Sequence, residues 1–222
     1  MLTSSQGAIP HPSGGPGLRS RKKHRTRLAI QDAALELFAE QGFEETTVEQ
    51  IAARADVSTA TFFRYFKTKS DVVFGGHGDE RADHLPDLAR AIIERPSSED
   101  DLTAVRRAVL RAWVPLLEPT RVLRQFRAAA TSPLLHGLSS DLATRWQTTI
   151  SDALAQRRHL AAPDPKCQLT AALVMATFSE TINTWVRDGS DDLGAAIDRG
   201  FELMSMLCDE WSGATRRSAR DR

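Results

Sequence analysis

The sequence predicts an all-α protein: a small N-terminal unit of three helices is followed by a larger helical bundle, with nine to ten helices in total. Apolar residues recur at helical spacing through most of the chain, and proline or glycine residues separate the periodic segments. No segment shows the strict alternation of a half-buried strand, and there is no internal repeat.

Composition and punctuation divide the chain into four stretches. Residues 1–18 are rich in Gly, Pro and Ser and are expected to be a disordered tail. Residues 19–69 hold a basic arm and the three-helix unit, residues 70–212 form the larger bundle, and residues 213–222 are a basic tail. A long helix is expected after Lys69, weakened by nearby glycines and kinked or broken at Pro86. The other predicted helices span about 24–41, 47–55, 58–65, 99–117, 120–131, 133–159, 165–187 and 192–211.

The middle of the three-helix unit has the pattern of two capped helices joined by a tight turn. Thr47 is placed to cap the helix over 47–55, and Gln50 three residues later completes a capping box. Ser58 is placed to cap the next helix, in which Phe62 and Phe66 point inward one turn apart. This arrangement is a helix-turn-helix, whose second helix fits the major groove of B-DNA. DNA binding is therefore the first functional hypothesis.

The same region resembles the TetR family of bacterial transcriptional regulators. The resemblance runs from ALELFAEQGFEETTV through IAARADVS to TFFRYFKTKSDVV and covers about 50 residues. It implies a homodimeric, sequence-specific DNA-binding regulator, and a repressor released from a palindromic operator by a small hydrophobic ligand is the favoured form. The alternatives are an activator, a regulator without a ligand, or a helical enzyme or carrier that acquired the N-terminal unit.

The resemblance also assigns roles to residues. Thr47, Tyr65 and Lys69 match phosphate-contacting positions, and the short side chains at 59–61 allow close approach to bases. Arg64 is placed to contact either a base or a phosphate. Asp56, in the turn between the two helices, stands where the family often has Gly, and aspartate should preserve the turn. Phe63 stands where the family usually has Tyr. The predicted DNA-contacting residues are Arg25, Thr47, Ser58, Thr59, Ala60, Thr61, Phe63, Arg64, Tyr65 and Lys69.

Charge is distributed unevenly, although 29 basic and 29 acidic residues balance. Six basic residues run into the first helix in a window without acids, where they are either a solvated tail or an arm that contacts phosphates or the minor groove. They are Arg19, Arg21, Lys22, Lys23, Arg25 and Arg27. The arginines that end the chain are expected to be solvated.

The larger bundle is expected to bind a ligand and to form the dimer. Its two last helices, about 165–187 and 192–211, carry apolar stripes suited to a four-helix dimer interface, as in TetR-family dimers. The stripe of the last helix consists of Leu193, Ile197, Phe201, Met204, Leu207, Cys208 and Trp211. The stretch VLRQFRAAATSPLL resembles regulators associated with mycofactocin clusters, which implies an acyl-CoA-like effector whose phosphate Arg124 and Arg127 would contact. The predicted ligand-binding residues are Trp113, Leu117, Phe126, Arg127, Trp146 and Phe178, and Leu138 is a further candidate for the lining of the pocket.

Other classes of site are not favoured. Cys167 and Cys208 lie in apolar helical patterns and are expected to be reduced thiols. His77 and His84 invite a metal hypothesis, but a solvated stretch fits them better, and neither a nucleophile–base motif nor a cofactor motif is present. Without an apolar run of about 18 residues or a signal peptide, the expected location is the cytoplasm.

Overall fold

A computed structural model describes residues 18–74, 84–189 and 192–220. These ranges contain ten α-helices and no strand, which confirms the predicted fold class. The tail expected over 1–18 lies almost wholly outside the described residues. So do the glycines expected to weaken the helix after Lys69, and His77.

The DNA-reading unit consists of four helices. They are α1 (Leu18–Gln41), α2 (Val48–Arg54), α3 (Thr59–Tyr65) and α4 (Asp71–Phe74). Helix α1 begins six residues before the predicted start at 24, so the basic segment is helical. Gly42 ends it at a positive φ of 88°, as expected of a helix-terminating glycine.

The larger unit consists of six α-helices and one irregular segment. The helices are α5 (Leu85–Ile93), α6 (Asp101–Ala108), α7 (Pro119–Thr131), α8 (Pro133–Arg157), α9 (Pro165–Asp188) and α10 (Leu193–Arg220). Pro86 lies in the first turn of α5, where a missing N–H costs nothing. Helix α10 continues nine residues past the predicted end at 211, so most of the expected C-terminal tail is helical.

The irregular segment lies between α6 and α7. Residues Val109–Trp113 form a π-helical turn, in which the N–H of Val114 bonds to the carbonyl of Val109. A 3-10 turn over Val114–Leu116 follows. Pro115 has no N–H for an α-helical bond, and its ring would collide with the carbonyl of Arg111 in a regular helix. Pro115 therefore interrupts the helix that the sequence predicts over 99–117.

Two apolar cores lie on either side of α7. The smaller core gathers side chains from α1 to α4 and includes Ala128 and Ala129 of α7 and Leu135 of α8. The larger core joins α5 to α10 and includes Val122, with Leu123 and Phe126 packed against it. Because α7 contributes to both cores, it joins the two units mechanically.

Within the larger unit, one ion pair is almost fully buried. Arg157 Nη1 donates to Asp101 Oδ1 at 2.9 Å, and each side chain is only 5% exposed. A second nitrogen of Arg157 donates to the carbonyl of Pro96, and Lys166 lies 3.3 Å from the other oxygen of Asp101. These bonds fasten the start of α6 to the end of α8.

In the described part of the chain, no helix combines the length and apolarity needed to cross a bilayer. Nor does that part contain a group of three or more His, Cys, Asp or Glu side chains that could hold a metal ion.

Candidate nucleic-acid interface and effector region

Helix α2 starts with the predicted capping box. The Thr47 hydroxyl accepts from the N–H of Gln50 at 3.2 Å, and the Thr47 N–H donates to Gln50 Oε1 at 2.8 Å. Gln41 at the end of α1 donates to the same Gln50 oxygen at 2.9 Å. Thr47 is exposed, and its hydroxyl accepts rather than donates in the cap. The hydroxyl hydrogen is therefore compatible with a bond to a phosphate.

The turn to α3 depends on Asp56, which has a φ of +53°. Aspartate tolerates this left-handed conformation better than most residues, so the turn forms although the family often has glycine there. The N–H of Val57 then reaches back to the carbonyl of Ala52 at 2.9 Å. Ser58 caps α3, accepting from the N–H of Thr61 at 3.1 Å and donating to its hydroxyl at 3.0 Å.

Helix α3 has a buried side and an exposed side. Phe62 and Phe66 are 0% and 2% exposed, which confirms that they are core residues. Thr59 and Ala60 are exposed at the front of the helix, and Phe63 is 54% exposed. The short residues are thus at the surface where close approach to a groove is possible.

Arg64 and Tyr65 are the last two residues of α3. Arg64 is exposed, and its guanidinium carbon lies 5.4 Å from the centre of the Tyr65 ring. Tyr65 is half-buried, and its ring packs against the smaller core. Neither contact decides between a base and a phosphate as the target of Arg64.

Lys69 has a structural role that its sequence position did not indicate. Its ammonium donates to the carbonyls of Phe43 and Thr46, at 2.5 and 2.8 Å, and lies over the Phe43 ring. A third carbonyl, of Glu44, is 3.3 Å away. Lys69 therefore closes the loop between α1 and α2, and its phosphate contact stays a prediction.

The basic segment of α1 divides into exposed and buried residues. Arg25 is exposed, as are the basic residues at 21–23, so each is accessible to DNA. Arg27 is 6% exposed, donates to the carbonyl of Tyr65 at 3.1 Å and lies over the Phe66 ring. Including Arg27 in the DNA-contacting arm was therefore wrong. A helix from Leu18 turns this side chain inward, where it binds the last carbonyl of α3.

Arg54 at the end of α2 is held by α1. Its two terminal nitrogens bind the carboxylate of Glu40 at 3.0 and 2.9 Å, and Glu36 lies 3.8 Å away. The hydrogen bond from Arg54 holds the pKa of Glu40 below its usual value. The pair is exposed, so its main effect is to fix the orientation of α2 rather than to add stability.

Contacts between α7 and the DNA-reading unit were missed by the sequence reasoning. Arg121 binds Asp32 of α1 through two nitrogens, at 3.0 and 3.1 Å, and Arg124 lies 3.3 Å from Glu36. The prediction that Arg124 contacts a ligand phosphate is therefore not supported, because its guanidinium binds the Glu36 carboxylate of α1. Gln125, 3% exposed, donates to the carbonyl of Val73 in α4.

The predicted ligand-binding aromatic residues lie together in the larger unit. Trp113 packs edge-on against Trp146 and against Phe178, with ring centres 4.8 and 4.7 Å apart. Phe126 also packs against the larger core. In this structure the rings fill the space between them, so a ligand there would have to displace at least one ring.

Leu117 and Arg127 line two clefts that adjoin at Pro119. One cleft, of about 290 Å³, lies between Leu117 and the start of α10 near Gly194. The other, of about 250 Å³, lies between Arg127 of α7 and Trp185 of α9. The indole N–H of Trp185 is buried and has no hydrogen-bond partner among the described residues. Leu138, in contrast, packs against the smaller core and not in this region.

The last two helices leave large apolar side chains uncovered. Those that are 45–77% exposed are Leu169 and Leu173 on α9 and Leu203, Met206, Leu207 and Trp211 on α10. Four residues that the sequence assigned to the dimer stripe are instead buried inside the chain. They are Leu193, Ile197, Phe201 and Met204. Helical spacing identified an apolar face but not the neighbour that covers it.

Comparison with known proteins is consistent with this geometry. Residues 30–74 match the family model of bacterial regulatory proteins of the tetR family, and residues 99–207 match the MftR C-terminal domain. MftR of Mycobacterium tuberculosis, named for transcriptional regulation of mycofactocin biosynthesis, is 27% identical over 90% of this chain and 98% of its own length. The fatty acid metabolism regulator protein of Bacillus subtilis is 24% identical over 83% of this chain and 96% of its own.

A solved structure shares the fold. The regulator FadR of Bacillus subtilis in complex with stearoyl-CoA superposes with a TM-score of 0.57, at 22% identity over 80% of this chain and 96% of that one.

The family models and the named relatives, together with the exposed recognition helix, define a DNA-binding transcriptional regulator. The chain belongs to the TetR family of bacterial transcriptional regulators, and its larger unit is of the MftR C-terminal type.

Proposed function

We propose that this regulator is a homodimeric repressor that binds a palindromic operator and is released from it by a small hydrophobic effector. The observation that supports it most directly is the exposed front of α3, Thr59 and Ala60, on a helix whose other side is anchored by Phe62 and Phe66. A rigid helix with short exposed residues at its N-terminal end is the element that enters a major groove.

The phosphate contacts would surround this helix. Thr47 presents a hydroxyl at the start of α2, and Arg25 and its exposed neighbours extend from α1. Helix N-termini and basic side chains are the usual partners of DNA phosphates, and they position a protein without reading sequence. Base reading would be left to Arg64 and the front of α3.

Dimer formation would use the uncovered apolar side chains of α9 and α10. Six large apolar residues on two adjacent helices form a surface of the kind that marks a protein–protein interface. One DNA-reading unit contacts too few base pairs to select an operator in a genome, whereas two units related by a two-fold axis read a palindrome.

The effector would bind between α7 and the aromatic cluster, entering through the clefts at Leu117 and Arg127. Displacement of Trp113 or Phe178 would enlarge the site, and α7 would carry the change to the DNA-reading unit. Acyl-CoA-like molecules are the first class to test, and stearoyl-CoA is the probe, since a protein of this fold was solved with it.

Selection of bound duplexes from a random pool, with purified full-length protein at a stated near-physiological salt concentration, tests the DNA-binding proposal. We expect one palindrome to be enriched, with half-sites about one helical turn apart. Salt-sensitive binding without any enriched sequence would contradict it, since phosphate contacts alone carry no sequence preference.

Sedimentation of two matched variants tests the dimer. Leu207→Glu places a charge on the proposed interface, whereas Leu134→Glu places one at an exposed leucine of α8, and the two leucines are 57% and 54% exposed. We expect Leu207→Glu to produce monomers that no longer select the palindrome, and Leu134→Glu to stay dimeric. Equal behaviour of the two variants would place the interface elsewhere.

A regulator without a ligand is the second candidate, favoured by one observation: the rings of Trp113, Trp146 and Phe178 already fill their shared space. Titration of the operator complex with stearoyl-CoA, and separately with apolar molecules of smaller size, distinguishes the two. Release by any of them supports the effector proposal, and no release by the whole set supports the second candidate.

A further inference from the structure

The short helix α4 is held at its end by two buried glutamines, one from each unit. Gln31 of α1 donates from Nε2 to the carbonyl of Val72 at 3.1 Å, and Gln125 of α7 donates to the carbonyl of Val73 at 2.5 Å. The two side chains are 5% and 3% exposed. We call this pair of bonds the glutamine clamp.

The clamp binds carbonyls in a buried environment. Val72 and Val73 belong to α4, whose described part ends at Phe74. Val72 and Val73 are themselves 0% exposed, so water is not available to their carbonyls in place of a side-chain donor. A buried carbonyl without a donor is costly, and the glutamines therefore fix where α4 can lie.

The two bonds differ in what they connect. Gln31 and Val72 both belong to the DNA-reading unit, so their bond holds within one body. Gln125 belongs to α7, whose Leu123 and Phe126 pack against the larger core. The Gln125 bond therefore makes the position of α4, and of the recognition unit joined to it through residues 66–70, depend on where α7 lies.

We propose that Gln125 is the positioning residue through which the larger unit sets the operator affinity of the DNA-reading unit. The inference rests on the proposed repressor function. The Gln125–Val73 bond holds the DNA-binding arrangement of the two units, and movement of α7 breaks it. Arg121–Asp32 and Arg124–Glu36 join α7 to α1 rather than to α4, and these partly exposed ion pairs adjust to small shifts more readily than a buried hydrogen bond does.

The test compares two substitutions of the same kind. Gln125→Met and Gln31→Met each keep the side-chain length and remove one donor to an α4 carbonyl. Operator affinity is measured on the palindrome selected with wild-type protein, and stability is measured by thermal unfolding of the full chain. Amide hydrogen exchange of α4 provides a readout that does not depend on DNA.

We expect both variants to lose stability, and only Gln125→Met to bind the operator about 5–10-fold more weakly, as the loss of one net hydrogen bond of about 1 kcal/mol in one of two arrangements implies. Faster exchange of α4 should accompany that loss. Equal operator affinities in the two variants, or tighter binding by Gln125→Met, would overturn the proposal.

A wild-type chain that selects no sequence would instead be a failure of the repressor proposal. In that case the hydrogen-exchange comparison still tests whether the glutamines hold α4. Gln125→Met and Gln31→Met should each speed exchange of the α4 amides relative to wild type. Loosening of α4 by neither substitution would overturn the clamp itself.

Discussion

Polar side chains that are buried or half-buried have different partners in the two units. In the DNA-reading unit, Arg27 and Gln31 are buried and Lys69 is half-buried, and all three donate to backbone carbonyls of short helices or of the loop before α2. In the larger unit, Arg157 binds the carboxylate of Asp101 as well as carbonyls. The units also differ in helix length: α2, α3 and the described part of α4 have seven, seven and four residues, whereas α8, α9 and α10 have 25, 24 and 28.

Short helices leave most of their carbonyls without an internal partner, so the DNA-reading unit needs donors from elsewhere in the chain. Long helices satisfy their own carbonyls except at the ends. Arg157, which is buried among them, therefore binds the Asp101 carboxylate and the carbonyl of Pro96 in the segment before α6. The comparison predicts that the larger unit is the more sensitive to loss of a charge, and the smaller unit to loss of a donor.

The largest expected effect is that of Asp101→Ala. It leaves the Arg157 guanidinium buried with one partner fewer, and breaking a buried pair typically costs about 3–5 kcal/mol. Urea unfolding of the variant and the wild type measures the change. Glu180→Ala is the control, since Glu180 and Arg187 are 72% and 69% exposed and their pair should contribute less than about 1 kcal/mol. Similar losses in the two variants would contradict the argument.

Gly200→Ala tests how closely α9 and α10 pack. A Cβ at this position would lie 2.1 Å from the Thr181 hydroxyl oxygen and 3.3 Å from the Thr181 Cβ, so Thr181 or the helix that carries it must shift. Overpacking costs about 1–3 kcal/mol and the better helix propensity of alanine returns about 1, so a net loss of up to about 2 kcal/mol is expected in urea unfolding. The double variant with Thr181→Ala should recover most of it, and additive losses would show that the contact is not the cause.

Sequence reasoning succeeded where the structure is decided by neighbours along the chain. The capping box at Thr47, the turn at Asp56 and the inward side of α3 all depend on residues within about four positions of each other. It missed Arg27 and Lys69 as structural residues, because the carbonyls that they bind lie 38 and 23–26 positions away.

The larger unit was predictable as a set of helices but not as a packing arrangement. Helical spacing marked Phe201 and Met204 as apolar-face residues, yet only the tertiary structure shows that the face is covered within the chain. The same limit explains Leu138, which was expected near a ligand and packs with the DNA-reading unit. Spacing defines the face of a helix, and the neighbour that it meets depends on the whole fold.

Arg64→Ala changes recognition rather than stability, because the side chain is exposed. If Arg64 contacts a base, preference at one operator position should relax by about 1–3 kcal/mol, and if it contacts a phosphate, all sequences should weaken alike. Binding to a panel of single-base operator variants distinguishes the two. Arg21→Ala is the matched change on α1, expected to reduce the salt slope by about 0.9 without altering preference if Arg21 contacts a phosphate.

Acid should weaken the larger unit partly through Glu99. The hydrogen bond from Arg95, together with Arg107, lowers the pKa of Glu99 from 4.5 to about 2. Because the folded pKa is depressed, this stabilisation is fully present above pH 4.5 and is lost as pH falls towards 2. The stability difference between wild type and Glu99→Gln, from urea unfolding at several pH values, should shrink over that window. A difference independent of pH there would contradict the assignment.

Gly137→Ala is the smallest expected effect and has the opposite sign to Gly200→Ala. Gly137 lies within α8, and a Cβ there would meet nothing within 4 Å. Alanine reduces the backbone entropy lost on folding, so the variant should gain about 0.5–1 kcal/mol of unfolding free energy in urea. The same substitution in two long helices thus isolates packing from propensity. A loss at Gly137 as large as that at Gly200 would mean that α8 is covered at this point, for instance by a second copy of the chain.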